Sequence, residues 1–272
     1  MVVFPNAKIN IGLNILRKRP DGYHDIASCF MPVGFTDILE IVESKKFGFS
    51  SSGLSIPGEE KNNLCIKAYK LLQKDFNLPQ VKIHLHKVIP IGAGLGGGSS
   101  DASFTLKCLD QMFGLFLDDY LLEEYAAKLG SDCPFFIQNR TVMAYGTGNE
   151  FEEISLSLKD KFILLVTPPI HVATAEAYAG IQPKPDAHPL KDTLENKPLE
   201  AWKELVNNAF ELSIFSKYPA IAEIKDKLYE AGASYASMSG SGATVYGIFE
   251  APVDTQELFP QDYTLWRSPE HY

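Results

Sequence analysis

Pro90-Ile-Gly-Ala-Gly-Leu-Gly-Gly-Gly-Ser-Ser-Asp-Ala-Ser103 sets five glycines and two consecutive serines at the mouth of a helix-competent segment. Glycine reaches φ > 0 freely and has no Cβ to obstruct an approaching ligand. Backbone N–H groups that open a helix lack intrahelical partners and lie at the positive end of its dipole, so they form an anion site. The stretch from Gly92 to Ser100 therefore reads as a phosphate cradle. Ser99 or Ser100 is placed to cap the following helix while its hydroxyl reaches a phosphate oxygen or Mg²⁺.

Other readings of the stretch fit less well. Gly92, Gly94 and Gly97 satisfy G-x-G-x-x-G, but a dinucleotide fold needs a fully buried parallel strand in front, read as a near-continuous apolar run. The preceding Val81-Lys-Ile-His-Leu-His-Lys87 alternates instead, as a half-exposed strand does. No Gly-Lys-Ser/Thr follows the glycines, which excludes a P-loop. A flexible linker is disfavoured because the glycines stand between that strand and the apolar-patterned Ala102, Phe104, Leu106, Leu109, Met112 and Phe113.

The chain has 272 residues, 45% hydrophobic and 22% charged, the composition of an ordinary globular protein. No apolar run approaches the ~20 residues of a membrane-spanning helix. The N-terminus lacks the basic and apolar regions of a signal peptide, so a cytoplasmic location is expected. The four cysteines stand without C-x-x-C pairing and suggest neither zinc nor a disulfide framework. A net charge of −9 disfavours a nucleic-acid partner. An acidic chain must hold an anionic nucleotide through local donors, which a glycine nest supplies without charge.

Strand-like and helix-like segments alternate throughout. Strands are expected at Ala7–Leu16, Ile38–Glu43, Val81–Lys87, Phe162–Thr167 and Thr244–Phe249, and a Gly/Asn turn is expected after Thr141–Tyr145. Helices are expected at Asn63–Leu72, at Tyr120–Leu129 with Asp118 or Asp119 as its cap, and at Pro219–Ala231. Gln182 to Pro198 reads as an exposed connection.

The motif Pro90 to Ser100 resembles the ATP-binding loop of the GHMP kinases. Pro5-Asn-Ala-Lys-Ile-Asn10 and Ser237-Met-Ser-Gly-Ser-Gly-Ala-Thr244 resemble two further motifs of the family and stand in the expected order. Lys8-Ile-Asn10, Arg19-Pro-Asp-Gly-Tyr-His24 and Leu129-Gly-Ser-Asp-Cys-Pro-Phe-Phe136 are similar to signatures of those members whose acceptor carries a cytidine diphosphate. The resemblance implies an α+β chain of two domains. Residues 1–158 would form an ATP-binding domain of ribosomal-protein-S5-like fold, and residues 159–272 a ferredoxin-like one. It implies ATP with Mg²⁺ and a small-molecule acceptor, and it says nothing of oligomeric state.

The same resemblance distributes roles. Asp132 matches the family's catalytic aspartate, although an Asp between Gly130 and Pro134 would ordinarily be a turn residue. Lys8 matches the lysine beside it, although a strand lysine ordinarily faces solvent. Pro90, Ile91, Gly92, Ala93, Gly94, Leu95, Gly96, Gly97, Gly98, Ser99 and Ser100 would hold the nucleotide's phosphates. Asn63 and Leu64 would wall the adenine, with Lys87 on the same side, and Ser100 is the candidate oxygen for Mg²⁺. Tyr23 and His24 match the cytidine-binding pair, Tyr178 the opposing aromatic, and Thr174, Asn10, Ser239 and Gly240 further acceptor contacts. Asp101, in the first turn of the helix, is expected to be structural. Three rivals remain: a homoserine- or mevalonate-type kinase, an oxidoreductase using Gly92-x-Gly-x-x-Gly97, and a nucleotide-binding module without catalysis. The presence of both Lys8 and Asp132 argues against the last.

Overall fold

The structure is a computed structural model that describes residues 1–184, 189–255 and 257–269. Numbered along the chain, its strands are β1 (Val2–Val3), β2 (Asn6–Lys18), β3 (His24–Thr36), β4 (Ile38–Glu43), β5 (Gly48–Gly53), β6 (Val81–Lys87), β7 (Val142–Tyr145), β8 (Glu150–Glu153), β9 (Phe162–Thr167), β10 (Tyr235–Met238), β11 (Val245–Phe249) and β12 (Thr264–Arg267). Its α-helices are α1 (Leu64–Phe76), α2 (Gly97–Phe113), α3 (Asp119–Ala127), α4 (Phe135–Gln138), α5 (Thr174–Ala179), α6 (Leu190–Asn196), α7 (Trp202–Leu205), α8 (Glu211–Lys217) and α9 (Pro219–Glu230).

Contacts group the chain into two units. The first comprises Met1–Lys8, Gly34–Ile91 and Gly96–Arg140. Its sheet has the order β1-β4-β6-β5, and β5 joins β6 in parallel through a crossover containing α1. In the antiparallel pair β4–β6, Leu39 lies opposite Leu85 and Ile41 opposite Ile83. These inward residues pack with Tyr69 and Leu72 of α1 and Leu106 and Leu109 of α2, while His84, His86 and Glu40 take the other face. Caps fix the helix ends. The Asn63 side chain accepts the Cys65 N–H at 2.9 Å, and Asp118 accepts the Leu121 N–H at 2.8 Å.

The second unit comprises Ile9–Val33, Gly92–Leu95 and Thr141–Tyr272. It contains two sheets, ordered β2-β3-β7-β8 and β10-β11-β9-β12. All six residues of β9 are buried, as its unbroken apolar run requires. Pro219 opens α9, where its fixed φ suits the first turn, and Ile221, Ile224 and Leu228 face inward. Helix and antiparallel-rich sheet occur together in each unit, so the chain is α+β as expected. Neither unit is a continuous stretch, so the contacts do not follow a single cut near Leu158. The segment Gln182 to Pro198 differs from its expected character as a connection. Part of it lies outside the described residues, but Leu190–Asn196 is α6 and buries Leu190 and Leu194.

A buried charge cluster ties the end of β6 to α2. The Lys87 ammonium is 3% exposed and donates to Asp101 at 2.8 Å and, at closer range, to Asp37. Asp37 also accepts the N–H groups of Val88 and Ile89, at 2.6 and 2.9 Å. One ammonium faces two carboxylates here, and burial pushes Asp101 up to about 7 from its ordinary 3.8. Between those values the folded chain binds a proton that the unfolded chain has released, so this group's contribution to stability falls as pH rises from about 4 to 7. Asp101→Asn keeps an acceptor for Lys87 without the titration. Thermal melts at pH 5 and pH 8 should differ less in this variant than in the parent. An unchanged difference would show that Asp101 does not titrate in this window.

Candidate active site

Lys8 stands among Ala7, Ile9 and Ile11 in a stretch of β2 that is buried on both faces. It is therefore 4% exposed rather than solvent-facing, and a buried ammonium requires a counter-charge. Asp132 supplies one, with its carboxylate 3.3 Å from Nζ and one third exposed. The Asp132 loop is pinned from below. Ser103 on α2 donates its hydroxyl to the Cys133 carbonyl at 2.7 Å, and the Cys133 N–H donates to the Gly130 carbonyl at 3.2 Å.

The glycine stretch reaches the same pair within the first unit. Gly96 has φ +69° and caps α2 without a side chain. A Cβ at Gly96 would lie 3.0 Å from Phe136 Cζ and 3.2 Å from Lys8 Cγ. Only glycine satisfies both the left-handed backbone and this close approach. The first helical bond runs from the Ser100 N–H to the Gly96 carbonyl at 2.9 Å, so Gly97, Gly98 and Ser99 present the unpaired amides of the first turn. Ser99 and Ser100 are thus within that turn and are not its caps, which corrects the expectation from sequence. The Ser100 hydroxyl is buried and has no partner.

Leu64 stands against this turn, its Cδ1 4.0 Å from the Cβ position of Gly98. Asn63 spends its side chain on the α1 cap. Lys87 lies behind Gly97, its Nζ 2.9 Å from that residue's Cβ position. Its ammonium is taken up by Asp37 and Asp101 and is buried, so it presents no exposed charge. Pro90 and Ile91 lead into the stretch, and Ile91 is exposed.

In the second unit, Gly92 to Leu95 run against the Ser239–Gly242 turn. Ala93 and Leu95 are buried. Gly94, at φ +79°, passes so close that a Cβ would fall 1.9 Å from the Ser239 carbonyl oxygen. The Ser239 hydroxyl donates to the Gly94 carbonyl at 2.8 Å and accepts the Asn10 N–H at 3.2 Å. Ser239 is wholly buried. Its side chain holds two backbone segments together. Gly240, at φ +55°, lies beside Gly94. Asn10 is buried and donates from Nδ2 to Ser28 at 2.9 Å.

His24 stacks on Tyr178 with ring centroids 4.8 Å apart and 21° between planes, and Phe210 meets Tyr178 nearly perpendicularly. Tyr23 is 65% exposed and outside this stack. Thr174, at the start of α5, is exposed and 3.4 Å from the Ser241 hydroxyl. Among the described residues no cluster of three or more His, Cys, Asp or Glu could hold a metal ion.

Residues 63–140 match the GHMP kinases N terminal domain, and residues 190–258 match the GHMP kinases C terminal domain. The 4-diphosphocytidyl-2-C-methyl-D-erythritol kinase of Cytophaga hutchinsonii is 51% identical over 94% of each chain. That of Bacteroides thetaiotaomicron is 52% identical over 92% of each chain. A crystal structure of 4-(cytidine 5'-diphospho)-2C-methyl-D-erythritol kinase superposes with a TM-score of 0.76 at 28% identity, covering 91% of this chain and 90% of its own. The chain belongs to the GHMP kinases. Within them it falls in the 4-diphosphocytidyl-2-C-methyl-D-erythritol kinase family, and it is a phosphotransferase with an alcohol acceptor.

Several residues that shape this GHMP kinase site carry no local sequence signal. Asp37 sits between two strands, and Ser103 reads as one more helix residue. Asn208 donates to the Met238 and Gly240 carbonyls at 2.7 and 2.8 Å, and buried Glu211 accepts the Met238 N–H at 2.8 Å. The glycines separate by what surrounds them. Gly96→Ala combines a φ > 0 strain of about 1 kcal/mol with overpacking of about 1–3 kcal/mol. It should lower both stability and nucleotide affinity, read by denaturant melts and calorimetry. Gly98→Ala, which meets only Leu64 at contact distance, should leave the fold intact. Equal stability of the two variants would contradict the close approach at Gly96.

Proposed function

We propose that the chain transfers the γ-phosphoryl group of ATP to the 2-hydroxyl of 4-diphosphocytidyl-2-C-methyl-D-erythritol, in the non-mevalonate route to isoprenoid precursors. The observation that carries the reading is the Lys8–Asp132 pair at 3.3 Å beside the first turn of α2. The family and the relatives' names support the acceptor.

Phosphoryl transfer asks for alignment and for stabilisation of charge. The amides of Gly97, Gly98 and Ser99 at the positive end of a 17-residue helix receive phosphate oxygens. Asp132 takes the proton from the acceptor hydroxyl as its oxygen bonds to the γ-phosphorus and the bridging bond to ADP breaks. Lys8 places a fixed positive charge beside the oxygens involved. The unpartnered Ser100 hydroxyl fits the demand of Mg²⁺ for oxygen ligands, and Mg²⁺ when bound neutralises phosphate charge. Leu64 offers an apolar wall for adenine. On the acceptor side, Tyr23, His24 and Tyr178 offer aromatic faces to cytosine, and Thr174 offers a hydroxyl. Asn10 and Gly240 contribute to the same side. A cytoplasmic location fits a kinase of soluble metabolites, and no helix among the described residues is long and apolar enough to cross a membrane.

Asp132→Asn removes the proton acceptor and leaves the helix amides in place. Turnover should fall about 10²–10⁴-fold while ATP affinity by calorimetry stays near the parent value. Retention of more than about a tenth of the rate would overturn the assignment of Asp132 as base.

The acceptor side is tested separately. Base–aromatic stacking is worth about 1–3 kcal/mol by alanine substitution, roughly 5- to 150-fold. Tyr23→Ala and Tyr178→Ala should each raise the acceptor KM by that order and leave the ATP KM alone. Tyr→Phe at either position should restore most of the loss, because the ring remains. Equal effects on ATP and acceptor, or none on either, would place the cytidine elsewhere.

A further inference from the structure

The strands β2 and β3 form a long hairpin whose tip, residues 19 to 23, carries Tyr23. Tyr23 is 65% exposed, so packing does little to hold its ring. What fixes the tip is a set of charges. The Arg19 guanidinium reaches Asp21 Oδ2 from Nε at 3.0 Å and from Nη2 at 2.9 Å. Its Nη1 reaches Asp25 Oδ1 at 3.1 Å. The other oxygen of Asp21 accepts the Tyr23 N–H at 3.1 Å. Two backbone bonds close the turn, from the Arg19 N–H to the Tyr23 carbonyl at 2.8 Å and from the Gly22 N–H to the Arg19 carbonyl at 3.1 Å. Asp25, directly after His24 on β3, is engaged on its second oxygen by Arg17. The hydrogen bond from Arg17, reinforced by Arg19 against desolvation, holds the Asp25 carboxyl below the usual carboxylate range.

We propose that Arg19, clasped between Asp21 and Asp25, is a positioning residue for recognition of the acceptor's base. It acts through Tyr23 and His24, and the proposal rests on the reading that these two hold the cytidine. The planar guanidinium suits the task because one fork bridges two carboxylates, one at the tip and one in the strand, in a fixed geometry. A tip ordered before binding spares the ligand the entropic cost of ordering it, so loss of the clasp weakens acceptor binding and leaves the chemical step alone.

The test measures kcat and both KM values for Arg19→Gln, Tyr23→Ala and the double variant. Exposed ion pairs contribute modestly because solvent screens them, so Arg19→Gln should raise the acceptor KM about three- to tenfold. The turnover number and the ATP KM should not move. Asp21→Ala, which breaks the tip from the other side, should give the same pattern. In the Tyr23→Ala background, Arg19→Gln should raise the acceptor KM by a smaller factor than in the parent, because one of the two groups it positions is gone. An unchanged acceptor KM in Arg19→Gln while Tyr23→Ala raises it would overturn the positioning role alone. Multiplicative effects in the double variant would also overturn it. An unchanged acceptor KM in Tyr23→Ala would overturn the base-site reading and the clasp with it.

Discussion

The backbone at Gly96 passes where no side chain fits, between the Lys8 stem and the Phe136 ring. That one steric constraint sets the first turn of α2 directly against the Lys8–Asp132 pair. The proposed catalytic arrangement of the first unit follows from it. The amides of Gly97, Gly98 and Ser99 are unpaired because the helix begins immediately after Gly96. The carboxylate is close because Ser103, on the same helix, holds the Cys133 carbonyl. The first-turn amides of α2 and the Lys8–Asp132 pair are therefore held side by side.

Two buried lysines serve this arrangement in different ways. Lys8 has a partly exposed carboxylate as its partner, so the pair can meet a substrate. Lys87 is enclosed by two carboxylates and meets none. Its ammonium joins the end of β6 to α2 and lies directly behind Gly97, while Asp37 also satisfies the amides of Val88 and Ile89. Breaking such a cluster by removing one partner typically costs about 3–5 kcal/mol, because the remaining charge stays buried. The molecule as a whole carries −9, so anion binding depends on such local placement and not on the overall field.

Strands with a simple apolar pattern were legible in the sequence. Ile38–Glu43, Val81–Lys87 and Phe162–Thr167 have the bounds that alternation or an unbroken apolar run suggested. His24–Thr36 was not, because most of it is buried on both faces and Pro32 and Gly34 interrupt its pattern. Gly48–Gly53 holds only Phe49 among glycines and serines, and is kept in place by its pairing with β6 and by the packing of that ring on the core. The proximity of Gly96, Lys8 and Asp132 follows motifs that the sequence displays. Side-chain partners were not legible where they are remote. Asp37 lies 50 residues from Lys87, and Asn10 lies 229 residues from Ser239, so no local pattern foretold that Lys87 and Ser239 would be consumed by structural bonds.

In the proposed reaction the first unit supplies the phosphoryl chemistry, while aromatic faces at the β2–β3 hairpin and α5 select an acceptor carrying cytidine. The most direct measurement compares kcat/KM for the cytidine-linked methylerythritol acceptor and for the same polyol phosphate lacking the nucleoside, with ATP saturating. Loss of the stacked base should lower kcat/KM by at least the roughly 5- to 150-fold worth of one stacking interaction. Equal values for the two acceptors would contradict the account.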